Sequence, residues 1–136
     1  MTDYKELCAL AIAAMERSYS PYSHFAVGVA LLASSGRVYL GCNVENAAFS
    51  ECLCAERTAF AKAVSEGEKD FLALAVVGGK NGKIEGACTP CGACRQVMSE
   101  FCPPDFPILI VKGEEDFEKI SLGELLPRSF NKGSLK

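Results

Sequence analysis

Apolar residues recur at three- and four-residue steps near the start of the chain. Tyr4, Leu7, Cys8, Ala11 and Met15 fall on one side of a helix, which the spacing predicts over residues 3–17. Asp3, with Glu6 three residues on, resembles a capping box at its start. "SYSPYSHF", residues 18–25, reads as a loop, because Pro21 breaks a helix and has no amide donor. Residues 25–33 and 37–43 are β-like runs joined by a turn at "SSG", a hairpin. A second helix is predicted over 54–66, with Ala55, Ala59, Phe60, Ala63 and Val64 as its apolar face and Gly67 at its end. Residues 71–77 are continuously apolar, as in a strand buried on both faces.

Thr89 followed by Pro90 predicts a third helix start, with Thr89 as the N-cap. Cys94, Val97, Met98 and Phe101 would form its inner face, and Pro103-Pro104 would stop it. Residues 108–111 and 117–120 read as two more strands, and "LGELLPRSF" as a short terminal helix and tail. The order is helix, hairpin, helix, strand, helix, strand, strand, helix. It suits an α/β fold with helices on both faces of a mixed sheet.

With no internal repeat or linker, the 136 residues are expected to form one domain, 1–136. The formal charge of −3 and the scattered Lys and Arg residues argue against a nucleic-acid partner, which needs a basic face. No apolar run approaches the roughly 20 residues of a membrane helix, so no membrane partner is expected. "MTDYKELC" lacks a basic start followed by an apolar block, so a cytoplasmic protein with reduced thiols is expected.

Reduced thiols change the meaning of the eight cysteines. A disulfide framework fits poorly; metal binding is the better default for clustered cysteines. "CLCAERT", residues 52–58, and "CTPCGACRQV", residues 88–97, hold five of them. Cys91 and Cys94 lie three apart at a helix start and share a face, and Cys54 lies at another helix start. Helix N-termini favour thiolate over thiol, so two facing starts could offer three thiolates to one zinc ion.

Cys52 and Cys88 are candidates for a fourth ligand, which would close the site and make it structural. Against closure, 36 residues lie between Cys54 and Cys91, far more than the about 15–20 of a zinc ribbon. His24, the only histidine, is expected to be surface. Glu56 has two readings. On position alone, a carboxylate stabilised by the helix dipole is ahead of a proton shuttle beside a metal-bound water.

Cys54-Ala55-Glu56 followed by Pro90-Cys91-Gly92-Ala93-Cys94 matches the zinc deaminase signature, His or Cys-x-Glu then Pro-Cys-x-x-Cys. "YSPYSHFAVGVALL", "GCNVENAAF", "CAERTAFAKAVSEG" and "LLPRSF" are also similar to cytidine deaminases of the short bacterial type, so the resemblance runs from about residue 19 to 130. It implies a three-layer α/β/α sandwich with a mixed five-stranded sheet. It implies hydrolysis of cytidine and 2′-deoxycytidine to uridine and 2′-deoxyuridine in pyrimidine salvage, with one Zn²⁺ per chain.

The resemblance further implies that Cys54, Cys91 and Cys94 bind zinc and that Glu56 shuttles protons while zinc-bound hydroxide attacks C4. Ala55 would hold the base carbonyl, Phe25 would stack on the pyrimidine, and Asn43 and Glu45 would hold the 3′ hydroxyl. It implies a homotetramer whose active sites are shared, with Phe130 reaching a neighbour's site. Phe49 stands where members of that family more often carry Tyr, so a hydroxyl is missing there. Cys52 and Cys88 are not required by the signature and are expected near the zinc but not on it.

Three thiolates on Zn²⁺ leave the site at −1, a poorer Lewis acid than a site with one histidine. Such a site needs nearby donors, and Arg57 is expected to donate to the sulfurs. The alternatives are a blasticidin-type deaminase, a non-catalytic structural zinc module with four sulfur ligands, and a metal-free redox protein using C-x-x-C. Asn43 and Glu45, which suit a ribose, favour cytidine over the first.

Overall fold

The computed structural model describes residues 2–136. Helix α1 (Tyr4–Met15) is capped by Asp3, whose carboxylate accepts from the Glu6 N–H at 2.8 Å. Strands β1 (Phe25–Ala33) and β2 (Val38–Cys42) form the hairpin, and α2 (Ala55–Ser65) follows a short 3-10 turn at Phe49–Glu51. Then come β3 (Phe71–Lys80), α3 (Gly92–Phe101), β4 (Pro107–Gly113), β5 (Asp116–Ser121) and α4 (Leu122–Leu125). The strands form one sheet in the order β2-β1-β3-β4-β5, with β3 and β4 parallel and every other pair antiparallel.

The two faces of the sheet carry separate cores, because side chains alternate along each strand. Val29, Leu31, Leu74, Val76, Ile108 and Ile110 pack against Ala59 and Phe60 of α2 and Cys94 and Met98 of α3. Ala30, Leu32, Ala75, Val77, Leu109 and Val111 pack against Leu7, Cys8, Ala11 and Met15 of α1. The architecture is therefore the three-layer α/β/α sandwich with a mixed five-stranded sheet.

Two glycines set how closely the layers approach. A Cβ at Gly28 would lie 2.2 Å from the Ala11 carbonyl oxygen and 2.3 Å from the Met15 nitrogen, so β1 touches the α1 backbone directly. On the other face a Cβ at Gly41 would lie 2.5 Å from the Ala55 carbonyl oxygen. That contact seats the first turn of α2 on the end of β2.

Two expectations need correction. The third helix begins two residues later than the Thr89-Pro90 pair predicts, with Cys91 as its N-cap and no side-chain capping bond. The physical reason is Arg95. Its guanidinium takes the Thr89 hydroxyl at 3.3 Å and the Pro90 carbonyl at 2.7 Å, holding both residues outside the helix. Val64, Val97 and Phe101, read as inner-face residues, are only half-buried and line a shallow groove between α2 and α3.

The close approach at Gly28 yields a stability prediction. Gly28→Ala should destabilise the fold by about 3 kcal/mol, because the overlapping atoms are backbone and cannot rotate away. In thermal unfolding this would appear as a melting temperature roughly 10 °C lower. An unchanged melting temperature would show that α1 can lift off the sheet at little cost.

Candidate active site

The register of the sheet brings the chemistry-bearing residues to one end. Phe25, the first residue of β1, pairs with Lys80, the last of β3, and Cys42 at the end of β2 pairs with Gly28. The chain leaving β2 therefore enters α2 at the same end of the sheet at which the chain leaving β3 enters α3. Cys54 is the N-cap of α2 and Cys91 the N-cap of α3, and Cys94 lies one turn into α3.

The three sulfurs lie within 4.8 Å of one another. Cys54 and Cys91 are separated by 3.8 Å, and Cys91 and Cys94 by 3.3 Å. Zinc–sulfur bonds of about 2.3 Å in tetrahedral geometry put sulfurs about 3.8 Å apart, so the donor set fits zinc with little adjustment. Cys52 and Cys88 are not in the group, and neither is His24. The Cys52 sulfur is engaged by the Asn46 backbone, accepting from its N–H at 3.3 Å. Burial pushes the Cys88 thiol up to about 12, with help from the Glu56 and Glu85 carboxylates.

The three thiols differ in acidity. Hydrogen bonding from the Cys94 thiol, then from Cys91, with the Arg57 charge beside them, holds Cys54 well below the ordinary thiol range. Cys94, the donor in that arrangement and fully buried, is pushed up. Arg57 donates through Nη2 to the Cys52 carbonyl at 3.4 Å, and its Nε–H is buried without a partner among the described residues. Its charge lies beside Cys54.

Glu56 is only 4% exposed, the one buried acidic residue among the described residues. Burial raises its carboxyl to about 7, and negative charge on Cys54 adds to the effect. A surface carboxylate at a helix start, the reading favoured by position alone, is therefore excluded. The signal missed in the sequence was the neighbourhood: Glu56 lies in a cavity wall with Phe25 and Val27 of β1 and Cys88 of the segment before α3.

Glu56 and Cys54 open into a cavity of about 280 Å³ whose other walls include Phe25, Asn43, Glu45 and Ala55. Cys54 gives no side-chain cap, so the first-turn amides of α2, including that of Ala55, are available to a ligand. Glu45 accepts from the Tyr22 and Ser23 backbone N–H groups at 3.0 and 3.1 Å and from the Ser23 hydroxyl at 2.5 Å. The Ser23 hydroxyl, foremost, keeps the Glu45 carboxyl below the usual range.

Phe49 and Phe130 are not brought into this cavity within one chain. Phe49 is 71% exposed, meets the Tyr22 ring edge-on at 5.8 Å, and lines a neighbouring cavity of about 360 Å³ that shares Glu45 and Cys52. Phe130 is 63% exposed, and its carbonyl accepts from Gln96 at 2.8 Å. Sequence reasoning missed Ser18 and Ser23, which touch Asn43 and Glu45. The cluster of serines around Pro21 was the only sign of them.

Residues 1–110 match the family described as the cytidine and deoxycytidylate deaminase zinc-binding region. The chain is 49% identical over 133 residues to a cytidine deaminase of Sporosarcina psychrophila, covering 98% of this chain and 95% of that one. It is 46% identical over 128 residues to the cytidine deaminase of Halalkalibacterium halodurans, covering 94% of each. The crystal structure of cytidine deaminase from Burkholderia pseudomallei superposes with a TM-score of 0.86 at 44% identity, covering 95% of this chain and all of that one.

Purified protein should carry one zinc per chain by metal analysis. Cys94→Ser should lose most of it, whereas Cys52→Ser and Cys88→Ser should keep it. Loss in either of the latter would make the site a four-sulfur one. Glu45 gives a pH prediction. Its folded carboxyl is depressed, so its contribution to stability is full above the unfolded value of about 4.3 and is lost as pH falls through the folded value. Glu45→Gln should flatten that acid limb in denaturation curves, and an identical limb in both proteins would exclude Glu45 as its source.

Proposed function

The chain belongs to the cytidine and deoxycytidylate deaminase family, and we propose that it hydrolyses cytidine and 2′-deoxycytidine to uridine and 2′-deoxyuridine with release of ammonia. One observation carries the reading: a single buried carboxyl, Glu56, shares a cavity of nucleoside scale with the Cys54 and Cys91 sulfurs. Cys54, Cys91 and Cys94 would hold the zinc, which when bound supplies the Lewis acidity that makes water nucleophilic near neutral pH.

Phe25 stacks on the pyrimidine, and the Ala55 N–H donates to the base carbonyl. Glu45, ionised and with its remaining acceptor capacity on Oε2, takes a sugar hydroxyl. Asn43 donates to the same end of the sugar. Glu56 removes a proton from the attacking water and delivers it to N3 of the base. With oxygen added at C4, it takes the second proton from the new hydroxyl and passes it to the amino group, so that the C4 carbonyl forms, the C4–N bond breaks, and ammonia departs. A carboxyl raised by burial suits both tasks, because it is neither too weak a base nor too weak an acid near neutral pH. Arg57 tempers the negative charge of the three sulfurs.

Exposed Phe49 and Phe130 fit a homotetramer in which each reaches a neighbouring subunit's site. The absence of disulfides among the described cysteines fits a cytoplasmic enzyme.

Cytidine turnover is read from the ultraviolet change and from ammonia. Glu56→Gln should keep its zinc and lose at least about 100-fold in kcat. Turnover at the wild-type rate would remove Glu56 from the mechanism, and a wild-type protein inert towards cytidine would point to another amine substrate. Sedimentation that found only monomers with full activity would remove the shared sites.

A further inference from the structure

Asn43 has a second task, and that task brings in Ser18 and Ser20 behind it, residues outside the zinc signature. Past the last β1–β2 pair, Gly28 and Cys42, the Asn43 side chain continues the ladder. Its Oδ1 accepts from the Val27 N–H at 2.9 Å, and its Nδ2 donates to the Phe25 carbonyl at 2.8 Å. The carboxamide thus stands where a peptide group of β2 would stand. Its nitrogen and oxygen cannot exchange places without breaking both bonds. One hydrogen on Nδ2 is left over, and Asn43 lines the cavity.

Ser18 lies behind this group, with its hydroxyl 2.5 Å from Asn43 Oδ1 and 3.0 Å from the Ser20 hydroxyl. A carboxamide oxygen has no proton, so Ser18 must donate to it. That uses the only Ser18 proton, so Ser20 must donate to Ser18. The direction of the chain is fixed: Ser20 to Ser18, Ser18 to Asn43, Asn43 to whatever occupies the cavity. Tyr19, between the serines, fastens the segment. Its N–H donates to the Asn43 carbonyl at 3.0 Å, and its carbonyl accepts from the Glu45 N–H at 2.8 Å. Two donors on Oδ1 draw electron density from the amide and strengthen its remaining N–H as a donor.

We propose that Ser18, backed by Ser20, is a positioning residue that orients and polarises the Asn43 amide towards a sugar hydroxyl of the nucleoside. The proposal rests on Asn43 serving as that donor in the deamination reading above. It makes part of the sugar affinity depend on two hydroxyls outside the cavity.

The test is steady-state kinetics of wild type, Ser18→Ala, Ser20→Ala and Ser18→Thr with cytidine. It is joined by competitive inhibition by 2′,3′-dideoxycytidine, which lacks the 2′ and 3′ hydroxyls and keeps only the 5′ one. Ser18→Ala should raise KM for cytidine about 3- to 10-fold with kcat altered less than about twofold. The inhibition constant of the dideoxy compound should stay unchanged. Ser20→Ala should show the same pattern with a smaller rise, and Ser18→Thr should restore the cytidine KM.

Equal losses with both compounds would mean that Ser18 only supports the fold, and no loss with either would mean that it does nothing for binding. Both overturn the proposal. If Ser18→Ala does not fold, Ser20→Ala carries the same comparison. A wild-type protein that turned over no cytidine would instead overturn the deamination reading, before any variant is compared.

Discussion

Holding three cysteine sulfurs within 4.8 Å of one another is unfavourable unless they share protons or a cation, and the surroundings are arranged around that constraint. Two of the sulfurs are helix N-caps, where the backbone presents unpaired N–H groups. Both helices start at one end of the sheet because β2 and β3 finish there. Arg57 lies beside Cys54, and Arg95 donates to both the Pro90 and Leu125 carbonyls, tying the chain before Cys91 to the end of α4. Glu56, which would repel thiolates, is driven towards its neutral form by burial in the same place. The three-sulfur donor set and the buried acid beside it thus follow from one packing arrangement, the seating of two helix starts on the ends of two strands.

Much of the fold was legible because its elements obey simple periodicities. The α1 stripe from Leu7 to Met15, the hairpin and most of the β3 run bury the residues that their spacing indicates, with Tyr4 half-buried and Leu72 exposed, and the helix-sheet-helix layering follows from their order. The start of α3 was not legible, because Thr89-Pro90 is a sound local signal that a long-range contact from Arg95 overrides. Half-burial of Val97 and Phe101 was hidden for a related reason. Period identifies a helix face but not how far the next helix extends over it.

The site shows the same division. Spacing brought Cys91 and Cys94 to one helix face, but only the fold brings Cys54 to them, since 36 residues, a helix and a strand intervene. Position alone favoured a dipole-stabilised carboxylate for Glu56, as for any first-turn acid; only the fold brings Phe25, Val27 and Cys88 around it. Pairing of the serine loop with residues 43–45 left no periodic trace, being built from single bridges and side-chain bonds.

The surrogate peptide at position 43 bears on which substitutions the chain can tolerate. Aspartate would offer the oxygen for the Val27 N–H but no donor for the Phe25 carbonyl, glutamine would overreach by a methylene, and serine would fall short. The twenty amino acids hold no second side chain of that length with a donor and an acceptor in a rigid plane. Drift at this position is therefore closed by the backbone before any substrate is considered. A residue needed by the sheet, and under the proposed function by a ligand as well, is shielded from gradual change, and adaptation of sugar preference would then proceed through the freer positions behind it.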